Sequence, residues 1–146
     1  MRKQYSKSEI KELLDKIPYA ERIISKKSNV VEEDDLLYID NKLALIKHNG
    51  IWLPTLKVLL KELILPKVVV DMGAVKFVAS GADIMRPGVR QIEDFKKDDF
   101  LVIVDENNGK PLAVGKAMFN SEDIREMKSG KCIQNIHYVG DRYWSM

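Results

Sequence analysis

The residue pattern predicts an α+β chain of two small domains, a helix-and-strand domain followed by a compact mixed β-barrel. Three observations carry this. A single well-capped amphipathic helix opens the chain. Short apolar runs then recur between turn residues, which marks strands. The glycines also segregate: seven of the eight lie at or after Gly73, and only Gly50 precedes them. Frequent glycine between short apolar runs signals tight turns in the second half. With 146 residues the chain has room for one domain or two small ones, and for no (β/α)8 barrel, which needs roughly 200 residues or more.

The elements follow in order. Ser6 and Glu9 have capping-box spacing, and Ile10, Leu13, Leu14 and Ile17 form one apolar helical face that Pro18 ends. Arg22–Ser25, Asn29–Val31, Leu36–Ile39 and Leu43–Lys47 read as short strands. Asn49-Gly50 links the last of these to Ile51–Leu53 through a type I′ turn, which needs positive φ at both positions. Thr55 caps a second helix, Leu56–Leu63, and Pro66 closes it. Leu65-Pro66-Lys67 is the seam, giving domains over 1–66 and 67–146. Val68–Val70 is a strand. Gly73-Ala74 opens a helix with Val75, Val78 and Ala79 on one face, and Gly81 stops it in the left-handed region. Ile84-Met85 is a strand running into the turn Arg86-Pro87-Gly88. Phe100–Asp105 and Pro111–Met118 form a hairpin through Asn108-Gly109. Ser121 caps a helix over Glu122–Lys128, Gly130 ends it, and Cys132–Val139 is the last strand.

Composition excludes several classes. Lys+Arg is 24 and Asp+Glu is 22, a net charge of only +2, so any nucleic-acid site is a local patch rather than a basic coat. The lone Cys132 forms no intrachain disulfide, which suits a reducing cytoplasm. The charged N-terminus is no signal peptide, and no run approaches the ~20 apolar residues of a membrane helix, so no membrane partner is expected. Enzymatic constellations fail. His48 reads as an exposed turn residue and His137 as a satisfied structural histidine. Neither has ligands at metal spacing, and no nucleophile elbow, Walker loop or dinucleotide fingerprint occurs. Asp98-Asp99 and Asp105-Glu106 read as solvated turns. The run Glu32–Asp35 reads either as another turn or as a docking surface for a basic partner. The expectation is a non-enzyme without metal or cofactor.

The informative stretch is Val70 to Gly88. It places glycines at both ends of a short helix, and Gly81-Ala82 leaves a backbone that a phosphate or ribose can approach. Lys76 and Ser80, four apart, lie opposite the apolar face, and Arg86 follows on the next strand. Together they form a candidate site for one phosphate–sugar chain. The alternative reading is that Gly81 is only a helix stop and Gly88 only a turn.

This stretch resembles the signature of the PUA domain, an RNA-binding module named after pseudouridine synthases and archaeosine transglycosylases. Its parts are Gly73-Ala74, a short helix, Gly81-Ala82, and the apolar-apolar-Arg-Pro-Gly turn at Ile84–Gly88. Pro111-Leu-Ala-Val-Gly115-Lys-Ala and Gly130 to Trp144 resemble its later strands. Gly50 to Leu60, Gly73 to Met85 and Ile133 to Met146 are further similar to the MCT family, named after the malignant T-cell amplified sequence protein of eukaryotes. That resemblance spans the whole chain, a pre-PUA domain followed by a PUA domain, and the shorter segments before Gly50 and between Gly88 and Phe100 suggest an archaeal member.

The resemblance implies a non-enzymatic, monomeric, cytoplasmic RNA-binding protein of the translation apparatus, acting in initiation, reinitiation or recycling. It implies a PUA face of Lys76, Ser80, Gly81, Ala82, Met85, Arg86 and Pro87 on the tRNA acceptor end. It also implies a pre-PUA surface for small-subunit ribosomal RNA or a density-regulated-protein-like partner. Lys3, Lys7, Lys11, Arg22, Lys26 and Lys27 are the candidates there, with a solvated helix face as the plainer reading. Two other classes stay open: a protein–protein adaptor, and an accessory subunit of an RNA-modifying enzyme. His137, Cys132, Tyr138 and Trp144 are expected in the core or closing strand, with base stacking as an alternative for Trp144.

Overall fold

The computed structural model describes all residues, Met1–Met146. Helix α1 (Lys7–Lys16) forms as its capping box requires: Ser6 Oγ accepts the N–H of Glu9, and the Glu9 carboxylate accepts the N–H of Ser6. Its apolar face rests on a five-stranded antiparallel meander of β1 (Arg2–Gln4), β2 (Val30–Glu33), β3 (Leu36–Ile39), β4 (Lys42–His48) and β5 (Ile51–Pro54).

The meander is built from two-residue turns. Asn49-Gly50 has φ of 48° and 78°, the type I′ pattern. Two more pairs do the same, Asp34-Asp35 with φ of 53° and 63° and Asp40-Asn41 with 51° and 69°. The acidic run Glu32–Asp35 is therefore the end of β2 plus a hairpin turn. Aspartate and asparagine tolerate the left-handed region better than other non-glycine residues, which is why three hairpins form with one glycine among them.

Some expectations need correction. Arg22–Ser25 is no strand: Ala20–Arg22 makes a 3-10 turn, and the amides of Ile23 and Ile24 both donate to the Ala20 carbonyl. Helix α2 (Leu56–Lys61) is shorter than expected. Thr55 stands at its N-cap, but the buried Thr55 hydroxyl makes no bond. At the other end of the chain, Asn120 rather than Ser121 is the N-cap of α4 (Ser121–Glu126). Ser121 is buried, accepting the Phe95 N–H and donating to its carbonyl.

The second half is a six-stranded sheet of β6 (Lys67–Val70), β7 (Ile84–Met85), β8 (Val89–Ile92), β9 (Phe100–Asp105), β10 (Pro111–Ala117) and β11 (Lys131–Tyr138). Its order is β7-β11-β10-β9-β6-β8, antiparallel except for the parallel pair β6–β9. Hydrogen bonds do not close it into a barrel. The two edge strands, β7 and β8, are nonetheless joined by the three-residue 3-10 turn Arg86–Gly88, so the sheet curls until its edges meet. This is the mixed pseudo-barrel. Helix α3 (Met72–Val78) bridges β6 and β7, and α4 bridges β10 and β11. Asp105 is buried rather than solvated. Its carboxylate accepts the turn amides of Asn108 and Lys110, which holds its pKa below the ordinary value.

A third apolar cluster lies between the sheets. Leu43, Ile46, Leu53, Leu56 and Leu59 of the first half meet Val69, Val102, Val104 and Val114 of the second. Strand β9 alternates across the two layers: Leu101 and Ile103 enter the core of the second sheet, Val102 and Val104 the layer between the sheets. Buried on both faces, it reads as an unbroken apolar run. His48 belongs to this contact zone too. It is partly buried, with its ring edge-on to Phe100 at 6.2 Å, and burial lowers its pKa.

Candidate functional site

A groove of roughly 790 Å³ opens between α3, the loop that follows it and the Arg86–Gly88 turn. One wall is α3. Asp71 is its N-cap, with Oδ1 accepting the Ala74 N–H at 2.9 Å. The opposite wall is Gly81-Ala82-Asp83 leading into β7, and Pro87-Gly88 closes one end. Two glycines permit this shape. Gly81 has φ of +94°, and a Cβ on it would stand 2.7 Å from the Tyr138 ring. At Gly88 a Cβ would stand 3.0 Å from the Ala74 Cβ, so the turn approaches the helix closely.

The rim is apolar and uncovered. Phe77 is 58% exposed and Met85 46%. Two large apolar side chains left uncovered in one groove mark a binding surface. The polar groups are few. Asp71 and Asp83 stand in the wall, and Lys131 Nζ reaches Asp83 Oδ2 at 3.5 Å. Lys76 extends over the Phe77 ring, 5.1 Å from its centroid.

The expected site residues separate into two groups. Gly81, Ala82, Met85 and Pro87 line the groove. Lys76 lies outside the lining, on the exposed face of α3. Ser80 turns back on its helix, its hydroxyl donating to the Lys76 carbonyl at 2.7 Å. Arg86 was expected to face a phosphate. Its guanidinium is instead spent on main-chain carbonyls: Ile124 at 2.6 Å, Val89 at 3.1 Å and Arg125 at 3.5 Å. It caps the C-terminal end of α4, where a fork of donors meets carbonyls with acceptor capacity the helix leaves unused.

Sequence reading missed Asp71, Phe77, Asp83, Asn135 and Lys131. Phe77 is detectable, because it falls off the Val75–Val78–Ala79 face, and Asp71 and Asp83 flank the same helix in sequence. Only Lys131 and Asn135 need the pairing of β11 with β7 to reach the others.

The basic residues of the first half are dispersed. Lys3 is held by Glu9 at 2.6 Å, an exposed pair that lowers the Glu9 carboxyl to about 2. Arg22 pairs with Glu62. Lys7 and Lys11 share one exposed side of α1, and Lys26 and Lys27 sit in the turn before β2. His137 and Cys132 are buried. The Cys132 thiol donates to the Ile84 carbonyl, and burial raises its pKa to about 11, an unreactive thiol. Trp144 is half-buried against the apolar layer between the sheets, with Lys57 over its ring. No three His, Cys, Asp or Glu side chains converge on one point, and no helix is long and apolar enough to cross a membrane.

Residues 66–139 match the PUA domain family, so the groove belongs to a PUA-domain protein. Residues 2–62 match a family described as a domain of unknown function, DUF1947. The chain is 38% identical to an uncharacterized protein of Methanocaldococcus jannaschii, covering 99% of this chain and 97% of that one. It is 35% identical to malignant T-cell-amplified sequence 1 of Rattus norvegicus, over 88% of this chain and 77% of the relative. Translation machinery-associated protein 20 of Schizosaccharomyces pombe is 33% identical, over 85% and 75%. The chain thus belongs to the family of malignant T-cell-amplified sequence and translation machinery-associated 20 proteins, a pre-PUA domain followed by a PUA domain. A crystal structure of a hypothetical protein from Pyrococcus horikoshii superposes with a TM-score of 0.85 at 28% identity, covering 99% of this chain and 98% of that one. An H/ACA ribonucleoprotein bound to a substrate RNA matches over 64% of this chain and 28% of the other, at 29% identity and a TM-score of 0.52.

Proposed function

We propose that this protein binds RNA within the translation apparatus, taking the unpaired acceptor end of a tRNA into the groove beside α3. The observation that carries this is the uncovered pair Phe77 and Met85 on a glycine-walled groove. Unpaired bases stack on aromatic faces, whereas a duplex hides them. Backbone left open at Gly81-Ala82 accepts close approach of the sugar–phosphate chain. Lys131 and Lys76 supply the charge, which fits a site that neutralises one or two phosphates rather than a long stretch. The names of the relatives support translation, and the RNA-bound ribonucleoprotein supports RNA. In this reading the chain binds and positions without catalysis, and the pre-PUA domain makes a second contact to small-subunit ribosomal RNA.

The test is fluorescence anisotropy with labelled tRNA carrying or lacking its CCA end, across a salt series. Phe77→Ala removes a stack worth about 1–3 kcal/mol, so affinity falls about 5- to 150-fold, with the salt slope unchanged. Lys131→Ala lowers the log–log slope by about 0.7, the value for one single-strand phosphate contact. Equal binding with and without the CCA end, or insensitivity to both variants, overturns the reading.

One observation favours a second reading, a protein-binding adaptor of the kind that pairs with a density-regulated-type partner. A cleft of roughly 430 Å³ between the two halves is walled by Ile17, Pro18, Ile51, Trp52, Leu65 and Phe100. Ile51 in its wall is 52% exposed. Loss of partner binding in Ile51→Ser, with tRNA binding intact, would establish it.

A further inference from the structure

We infer that Asn135, a residue outside the groove, is the positioning residue that holds the Gly81-Ala82-Asp83 wall in its RNA-receiving shape. This rests on the groove being the RNA site. The wall cannot hold itself: Ser80 and Ala82 are exposed, Gly81 and Asp83 only half-buried, and Gly81 sits in the left-handed region. Its local bonds are those of a helix end, Gly81 N–H to the Val78 carbonyl and Ala82 N–H to the Phe77 carbonyl. The remaining restraints come from β11, and they converge on Asn135. Its side-chain amide donates to the Ala82 and Val78 carbonyls, both at 3.0 Å, bridging the wall to the helix end. Its main-chain N–H donates to Asp83 Oδ1 at 2.9 Å. Three residues on, beyond His137, the Tyr138 ring packs under Gly81.

A bulge makes this possible. Gly115 pairs with Asn135 but Val114 with His137, leaving Ile136 as an extra residue in β11. The extra residue switches the faces of the strand. Ile133 and Tyr138 point into the core of the second sheet, whereas Ile136 and Val139 pack between the two sheets. Without it, Ile133 and Tyr138 would lie on opposite faces. Gly115 provides the space, since a Cβ there would meet Ile133 Cγ2 at 2.5 Å. Strand β11 is hydrogen-bonded on both sides, to β7 and β10. Asn135 therefore transmits the rigidity of the sheet to an otherwise loosely held wall. A preformed wall binds more tightly because no ordering is required on contact.

The experiment compares wild type, Asn135→Ala and Asn135→Asp in two measurements on the full chain. Hydrogen exchange without RNA reads the wall itself, and faster exchange confined to residues 80–84 is expected in both variants. Anisotropy with CCA-ended tRNA is expected to show affinity about tenfold weaker, the loss of two hydrogen bonds. The salt slope stays at the wild-type value, because no phosphate contact is removed. Asn135→Asp adds a signature that simple destabilisation does not produce. Its ionised carboxylate faces two carbonyls, whereas the protonated acid regains one donor, so its deficit relative to wild type shrinks between about pH 7.5 and pH 5.5. Unchanged exchange over residues 80–84 overturns the positioning role, whatever RNA does. Faster exchange with unchanged affinity overturns its relevance to binding. Failure of wild type itself to bind overturns the groove reading and this role in RNA binding with it.

Discussion

His137 Nε2 accepts the backbone N–H of Leu56 at 3.1 Å, joining the last strand of the second sheet to the first turn of α2 in the other half of the molecule. The other ring nitrogen, Nδ1, lies 2.7 Å from Asp141 Oδ2. An acceptor at Nε2 fixes the tautomer, so Nδ1 carries the proton and donates it to the carboxylate. Asp141 also accepts the amides of Tyr138, Tyr143 and Trp144, tying the C-terminal turn to the same point. One buried imidazole thus organises three segments.

This arrangement sets a pH dependence. Burial lowers the His137 pKa from the ordinary 6.5, and outweighs the Asp141 carboxylate, which raises it. The unfolded chain then binds more protons than the folded one below pH 6.5. Stability is complete above that value and is lost as pH falls through the folded pKa, when a protonated Nε2 would confront the Leu56 N–H. Urea denaturation at a series of pH values should show the midpoint falling below about pH 6.5. His137→Phe should be less stable throughout but flat over that window. The exposed Lys3–Glu9 pair acts between the ordinary carboxyl value of 4.5 and about 2.

Arg86 is predicted to act on stability and not on phosphate contact. Arg86→Ala strips donors from the C-terminal carbonyls of α4 and should cost about 2 kcal/mol. The salt slope of RNA binding should stay at the wild-type value. Arg86→Lys should not restore stability, because an ammonium lacks the fork that reaches three carbonyls. A change in slope by one phosphate contact would return Arg86 to the RNA face.

Gly81→Ala should destabilise in two separable parts. A side chain at φ of +94° is strained wherever it stands, and this one also strikes the Tyr138 ring at 2.7 Å. The loss should be about 1–3 kcal/mol. In the double variant with Tyr138→Leu the clash disappears while the backbone strain persists, so in a double-mutant cycle the double variant should lose less stability than the sum of the two single variants. Simple additivity would show that Tyr138 yields without resistance.

Leu59→Ala removes a side chain that is 1% exposed from the layer shared by both sheets. A loss of about 2–5 kcal/mol is expected. Because residues of both halves line that layer, calorimetry should show one transition moving as a unit. Two transitions, only one of them shifted, would show that the halves unfold separately.

The sequence by itself determined whatever depends on neighbours along the chain. The capping box of α1, the Asn49-Gly50 hairpin, the left-handed Gly81 and the helix at Gly73 are local rules, and each was readable from a few consecutive residues. The groove lining at Gly81 and Ala82 was readable for the same reason, whereas Met85 and Pro87 followed only from the family resemblance. Local rules also misled where a second choice was equally good: a Ser121 that looked like a cap is a buried bridge to Phe95. The tertiary structure alone decided where long side chains go. Arg86 found carbonyls 38 and 39 residues away, as the hydrogen bonds to Ile124 and Arg125 record. Through pairing of β11 with β7, Lys131 reached the groove and Asn135 the back of its wall. A flexible charged side chain has many partners within reach, and composition does not choose among them. The choice is made when the sheet curls and brings helix-end carbonyls beside the Arg86 guanidinium, because donors and acceptors withdrawn from water must find each other.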